Sequence, residues 1–306
     1  MIALSTCWNN HRHTDGRAMV REIAEMGFDT VEVSHGLRLP LLPGIQEAVN
    51  HGEIRVCGVH NFCPSPVEVV VDAPDCYEFT SDLKLDRERA VSMTLKTLET
   101  AADLSAEYVV LHLGSIPMPR ITDKLEAFAK SGQVLSKDYV RAKVEAVKER
   151  ERIAPPYLER AYKALEQIIP EAEKSGIKLG VECRSHYEQC PSEREIEQIF
   201  KDFDSPVLGY WHDFGHAQRK ANLGFMNHAQ WLQRISGKLI GCHIHDVVWP
   251  DRDHMIPSEG SMDYETLMPL IPEGVPLVWE LSYRRKKKNI IAAAAPWSER
   301  FTTSPA

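Results

Sequence analysis

The sequence predicts an α/β protein: a closed (β/α)8 barrel in one domain spanning residues 1–306, with a helical insertion between strand four and helix four. Three observations carry this expectation. Eight short β-rich runs alternate with helix-period segments along the whole chain. The runs are almost continuously apolar, as parallel strands buried on both faces must be. No glycine-rich phosphate loop follows the first strand, where an open doubly wound sheet would favour one; Cys7-Trp8-Asn9-Asn10-His11 stands there instead.

The first strand is IALSTCW, from Ile2, followed by a helix carrying Val20, Ile23 and Ala24 that ends at Met26-Gly27. TVEVS from Thr30 is the second, with a short helical stretch from Gly44 to Asn50. IRVCGVH from Ile54 is the third and runs into a proline-punctuated loop, Cys63 to Pro66. Val91, Leu95, Leu98 and Ala102 then mark one face of a long helix. YVVLHLGS from Tyr108 is strand four, and Leu158, Ala161, Leu165, Ile168 and Ala172 stripe the helix before strand five. Between them, residues 117–155 read as a charged insertion forming a helical lid over one rim. KLGVEC from Lys178, VLGYWHD from Val207, LIGCHIHD from Leu239 and PLVWEL from Pro276 complete the eight strands. Shorter helices are expected over Ser192–Phe200, His228–Ile235 and Asp263–Ile271. After strand eight, early Pro296 predicts little helix, and that thin flank predicts a partner subunit, a homo-oligomer.

Composition narrows the function. A chain with 43% hydrophobic residues can bury one large core or two ordinary ones, and an α/β barrel of this length is commonly a single domain. The formal net charge of −8 argues against a nucleic-acid binder, which normally carries a basic face. No 18-residue apolar run predicts a membrane helix, and the start MIALSTCWNNHRH has no signal core. Seven scattered cysteines, never spaced C-x-x-C, fit reduced thiols in a cytoplasm. Cys7, Cys57 and Cys242 read as small core residues. The unusual number is thirteen histidines.

In a βα barrel, side chains at the C-terminal ends of the strands meet on one rim. His60 ends strand three, His112 strand four and Glu182 strand five. Asp213 and His216 follow strand six, His243 and His245 close strand seven, His254 lies in the next loop, and Glu280 closes strand eight. A lone histidine there is most simply structural, and a lone buried carboxylate could pair with an arginine. Four consecutive strands ending Glu, Asp, His, Glu are a different matter. Carboxylates so close repel one another, and a divalent cation removes that cost. Three carboxylates and an imidazole suit Mn²⁺, Mg²⁺, Co²⁺ or Zn²⁺, with room on the rim for more than one ion. Spacing alone does not rank His243 against His245, since both face inward. Cys183 and Cys242 adjoin Glu182 and His243 and so point the other way.

These residues carry a resemblance. VEC at 181–183, HDFGHA at 212–217, HIHD at 243–246, DHMIPSEGSMDY at 253–264 and WEL at 279–281 resemble the xylose isomerase-like barrel superfamily. That group holds sugar (phosphate) isomerases and epimerases and the AP endonucleases of the endonuclease IV type. The resemblance implies a metal held by Glu182, Asp213, His243 and Glu280, with Asp246 at +3 selecting His243. Glu182-Cys-Arg-Ser-His186-Tyr187-Glu188 is similar to the ketose 3-epimerase pattern, which implies substrate contacts from Glu188 and His216. His60, His112, His245 and His254 complete the expected substrate-binding set. Trp249 stands where that branch has an arginine, with Arg252 near, and the usual P-G-x-G loop reads Pro257-Ser258-Glu259-Gly260.

The chemistry implied is isomerisation or epimerisation of a ketose, sugar phosphate or related polyol through an enediolate, with Glu182 and Glu280 as the acid/base pair. Two alternatives come from the same superfamily. One is a multi-zinc phosphodiesterase of the endonuclease IV type, whose extra ligands match His60, His112, His216 and His254, with Asp251 or Asp253 beside them. The other is a metal-dependent dehydratase or lyase. The net charge demotes the nuclease, although Arg284 to Lys288 forms a basic run on the functional rim, either a solvated loop or an anion contact.

Overall fold

The computed structural model describes residues 2–69 and 74–302, so the outermost residues of the expected domain lie outside the description. Eight parallel strands form the barrel: β1 (Ile2–Ser5), β2 (Thr30–Val33), β3 (Arg55–His60), β4 (Tyr108–Leu111), β5 (Lys178–Glu182), β6 (Leu208–Asp213), β7 (Leu239–Ile244) and β8 (Leu277–Trp279). Each pairs in parallel with the next, and β8 closes on β1, with Ile2 opposite Leu277. The eight apolar runs therefore became the eight strands, each within a few residues of its expected bounds.

The crossovers are helical, as parallel neighbours require. They are α1 (Gly16–Ala24), α2 (Leu42–Asn50), α3 (Lys84–Asp103), α4 (Ile121–Lys130), α5 (Lys137–Ile153), α6 (Pro155–Ser175), α7 (Glu193–Asp202), α8 (Phe214–Asn222), α9 (His228–Ile235), α10 (Tyr264–Leu267) and α11 (Lys287–Phe301). A large apolar layer joins helices to strands, with Leu165, Ile168 and Ala172 of α6 fully buried in it. Inside the barrel a smaller cluster of Ala3, Cys57, Tyr108, Val110, Trp211 and Val278 fills the pore below the C-terminal rim. Gly241 is needed there, because a Cβ would lie 1.8 Å from the Trp211 ring. No helix among the described residues is long and apolar enough to cross a membrane.

Three expectations need correction. The buried face of α3 is Ala90, Thr94, Thr97, Leu98 and Ala101, about one residue round from the expected stripe, and Ala102 is exposed. Thr94 and Thr97 can be buried because each hydroxyl donates to the carbonyl four residues back, at 2.7 and 3.0 Å. The chain after β8 is not thin: α11 has fifteen residues with Pro296 inside it. A proline in mid-helix removes one backbone donor without ending the helix where packing compensates. Here Ile290 and Trp297 are buried, and Trp297 packs edge-on to Trp279 at 5.7 Å. The flank expected to need a partner subunit is thus covered by the chain's own helix. Finally, Cys7 is half-buried beside the rim, its thiol 3.5 Å from the Leu281 carbonyl, while Cys57 and Cys242 are core as expected.

The 117–155 insertion is α4 and α5. They share a small core in which Ile121, Leu125, Tyr139, Ala142 and Ala146 meet Leu223 at the end of α8. Buried Arg150 ties α5 to the loop after β5, donating to the carbonyls of Tyr187 (2.9 Å) and Gln189 (3.1 Å) and pairing with Glu195.

Candidate metal centre

Strand ends and a helix cap place the site. Asp213 is both the last residue of β6 and the N-cap of α8, accepting from the His216 backbone N–H at 2.7 Å. That cap fixes the carboxylate and brings His216 onto the same rim. Asp213 lies opposite His243 across the β6–β7 ladder, and Val278, two residues before Glu280, lies opposite His243 on the other side.

Glu182, Asp213, His243 and Glu280 converge, each offering one ligand atom, all within 4.8 Å of one another. All four are buried. His243 Nδ1 faces the three carboxylates, 3.1 Å from Glu182 Oε1, 3.4 Å from Glu280 Oε2 and 3.7 Å from Asp213 Oδ2. His60 Nε2 lies 3.3 Å and His112 Nε2 2.6 Å from Glu182 Oε2. Among the described residues, histidines, and not lysine or arginine, are the basic partners of the quartet.

His245 joins a second group. Its Nε2 lies 3.0 Å from Asp213 Oδ1, its ring stacks on His254 at 4.2 Å, and ligand atoms of His216, His245 and His254 also lie within 4.8 Å of one another. Gly215 permits this approach, since a Cβ there would lie 1.9 Å from His245 Cε1. His254 is held in turn by Asp253 at 3.0 Å, itself 2.7 Å from Arg219. The two histidines that spacing could not rank therefore serve different clusters.

Charge within the site runs one way. Burial alone would raise the Glu182 carboxyl, but the charge of His243 and hydrogen bonds from His216, His243 and His60 hold it well below the usual carboxylate range. Asp213 is raised by burial and lowered further by His216 and His245, and it too ends well below its usual value. Burial lowers His243, yet Glu280, Glu32 and Glu182 lift it well above an ordinary imidazole. The carboxylates thus stabilise positive charge at the centre of the rim. Such a field, with three carboxylate donors and one imidazole lone pair, fits a divalent cation.

Glu188 is not brought into the cluster. Its carboxylate accepts from the Thr122 backbone N–H (2.8 Å) and hydroxyl (2.6 Å), fastening the start of α4 to the loop after β5. Asp246 organises the loop after β7, accepting from the backbone N–H of Ser258 (2.9 Å) and Met262 (3.0 Å). Trp249 is an exposed residue beyond that strand. The basic run leads into α11, where Arg285 lies 3.6 Å from Glu259 and Lys287 3.4 Å from Glu25.

Sequence reasoning missed four residues. Glu32 on β2 is fully buried against His243. His35 offers a nitrogen within 4.8 Å of ligand atoms of His60 and Glu280. Arg184 donates to Asp75 (2.7 Å), which lies 2.9 Å from His112 Nδ1. Glu32 left one signal, a charge inside an otherwise apolar strand, which demands a buried partner.

A family model described as "xylose isomerase-like TIM barrel" matches residues 20–301. An uncharacterized protein of Methanocaldococcus jannaschii, MJ1311, is 26% identical over 236 residues, 72% of this chain and 70% of its own. Among solved structures, a D-tagatose 3-epimerase-like protein covers 98% of both chains with a TM-score of 0.69 at 22% identity. The IOLI protein with a bound zinc atom covers 99% of both with a TM-score of 0.68 at 13% identity. At these identities the structural likeness establishes the shared barrel.

Proposed function

Because the chain belongs to the xylose isomerase-like TIM barrel family, we propose that it is a divalent-metal-dependent sugar isomerase or epimerase acting on a ketose, sugar phosphate or related polyol. The observation that carries this reading is the buried convergence of Glu182, Asp213, His243 and Glu280. The printed names of a structural neighbour, a sugar 3-epimerase-like protein, and of a zinc-bearing one support it. The quartet would hold one Mn²⁺, Mg²⁺, Co²⁺ or Zn²⁺. When bound, the cation would polarise a substrate carbonyl and stabilise the negative charge of an enediolate.

The chain's own groups move the protons. Glu182, ionised at neutral pH, accepts the proton from the carbon next to the carbonyl. Glu280 lies 3.4 Å from the same His243 nitrogen and, once it has taken a proton from solvent, would give that proton to the opposite face, which inverts that carbon. Glu280 is left ionised and Glu182 protonated, and loss of the Glu182 proton to solvent resets the pair. Return by Glu182 alone to the neighbouring carbon gives isomerisation instead. His60 and His112, both on Glu182 Oε2, orient the base, while His216, His245 and His254 lie where hydroxyls of a polyol can be bound. Helices α4 and α5 serve as the lid: Glu188, through Thr122, and the Glu126–Arg219 pair (2.7 Å) hold α4 on the rim, where it excludes water. The seven free thiols suit a cytoplasmic setting.

One observation favours a second reading. The His216–His245–His254 group could hold a further cation, and with His60 and His112 on Glu182 the rim has the ligands of a multi-zinc phosphodiesterase. The two readings separate in one assay: deuterium incorporation from D2O into a panel of ketoses, beside nicking of abasic DNA by the same metal-loaded protein. Exchange without nicking is expected. Nicking without exchange from any sugar overturns the sugar reading.

A further inference from the structure

Glu32 sits within β2, in the barrel interior, and is fully buried. Its carboxylate lies on the side of the His243 ring away from the quartet. Oε1 is 3.0 Å from His243 Nε2, and Oε2 is 3.1 Å from Tyr108 Oη. Tyr108 is itself held, with Cys57 Sγ 3.3 Å from its hydroxyl and its ring pressed where Gly58 has no Cβ; one built there would lie 2.0 Å away.

A carboxylate oxygen accepts hydrogen bonds. Tyr108 therefore gives Glu32 its O–H, and His243 gives its Nε2–H. With its Nε2–H committed to Glu32, the ring can give up only the Nδ1 position to a cation, so the lone pair it offers is on the nitrogen that faces Glu182, Glu280 and Asp213. A carboxylate this deep is costly without partners. Its two partners here are a pinned tyrosine and the imidazole of the cluster, so its place is explained by what it does to His243.

We propose that Glu32 is a positioning residue, fixing the tautomer and ring orientation that present the His243 Nδ1 lone pair to the cation of the quartet. This rests on the metal-centre reading above and goes beyond it, since it assigns the barrel interior on the β2 side to the site. Partners of this kind typically change metal affinity 10- to 100-fold when removed.

The test is a Co²⁺ titration of chelator-stripped protein, read from the visible absorption of the bound ion. Wild type, Glu32→Leu, Glu32→Gln and Glu182→Gln are compared, with near-UV circular dichroism as the check on folding. Glu32→Leu, which removes the acceptor, is expected to bind Co²⁺ about 10- to 100-fold more weakly and with an altered band shape. Glu32→Gln keeps an amide oxygen for Nε2–H and is expected to lose less, about 3- to 10-fold. It decides the matter alone if the leucine variant does not fold. Wild-type affinity in the folded Glu32 variants overturns the proposal. Wild-type affinity in Glu182→Gln, or no binding by wild type, overturns the quartet itself and this proposal with it, so the two failures are distinguishable.

Discussion

Each cluster residue is held by a group whose own position is determined elsewhere. Asp213 is fixed because it caps α8, and His245 because Gly215 leaves room for its ring. Gly215→Ala is therefore expected to push His245 off Asp213 and to weaken a second Zn²⁺ equivalent about 10-fold, while the first stays within about 3-fold. Isothermal titration with Zn²⁺ measures both, and equal weakening of the two would contradict the separation of the clusters. At this scale the strand-end residues were legible in sequence, because chemistry on a barrel rim needs polar groups where apolar strands stop. Glu32 was legible only in part, because a charge inside an apolar strand demands a partner but the strand does not say which residue that is. Glu188 illustrates the converse: the motif was legible, but its hydrogen bond with Thr122, across 66 positions, is a contact that no local pattern encodes.

Among the elements, strands were easier to read than helix faces and helix ends. Buried parallel strands announce themselves as apolar runs, whereas α3 buries threonines whose hydroxyls are satisfied by their own helix. Pro296 reads as a terminator, yet α11 continues through it because Trp297 is clamped between Trp279 and Tyr264, each at 5.7 Å. Trp297→Ala is expected to cost about 3–5 kcal/mol, the usual penalty for emptying a buried tryptophan site. Urea denaturation checks this, and a loss under about 1 kcal/mol would mean that α11 is not docked as described. Since α11 packs behind β8, the strand that ends next to Glu280, the same variant should bind the quartet's cation more weakly.

Over the whole molecule, acid stability follows from a buried chain of hydrogen bonds outside the pore. Trp231 Nε1–H donates to Tyr210 Oη (2.9 Å), so the tyrosine proton goes to His212 Nδ1 (2.9 Å). His212 Nε2–H then donates to His228 Nε2 (3.0 Å), and His228 Nδ1–H to Gln218 Oε1 (2.9 Å). Both imidazoles are neutral in this arrangement. Burial lowers His212 well below its usual value, with His228 adding to the effect, and burial pushes His228 down to about 3. A depressed imidazole stabilises the fold fully above the unfolded value near 6.5 and progressively less as pH falls towards 3, because the unfolded chain takes up a proton that the native one refuses. His216, His243 and His254, whose values are raised, act in the opposite sense, so the contribution must be isolated by difference. The stability advantage of wild type over His228→Gln is expected to shrink by about 2 kcal/mol between pH 7 and pH 5, at about 1.4 kcal/mol per pH unit. Denaturant midpoints at the two values measure it, and a constant difference would contradict neutral burial of the pair.

Of the thirteen histidines, His212 and His228 thus belong to a structural chain, and His60, His112, His216, His243, His245 and His254 to an acidic rim. The central claim is that Glu182, Asp213, His243 and Glu280 hold a divalent cation. Elemental analysis of protein purified without chelator, with Glu182→Gln and Asp213→Asn prepared in parallel, tests it most directly. The account predicts at least about one divalent ion per chain in wild type and a loss of that ion in both variants. Wild-type protein free of divalent metal, or variants that retain the full complement, would contradict it.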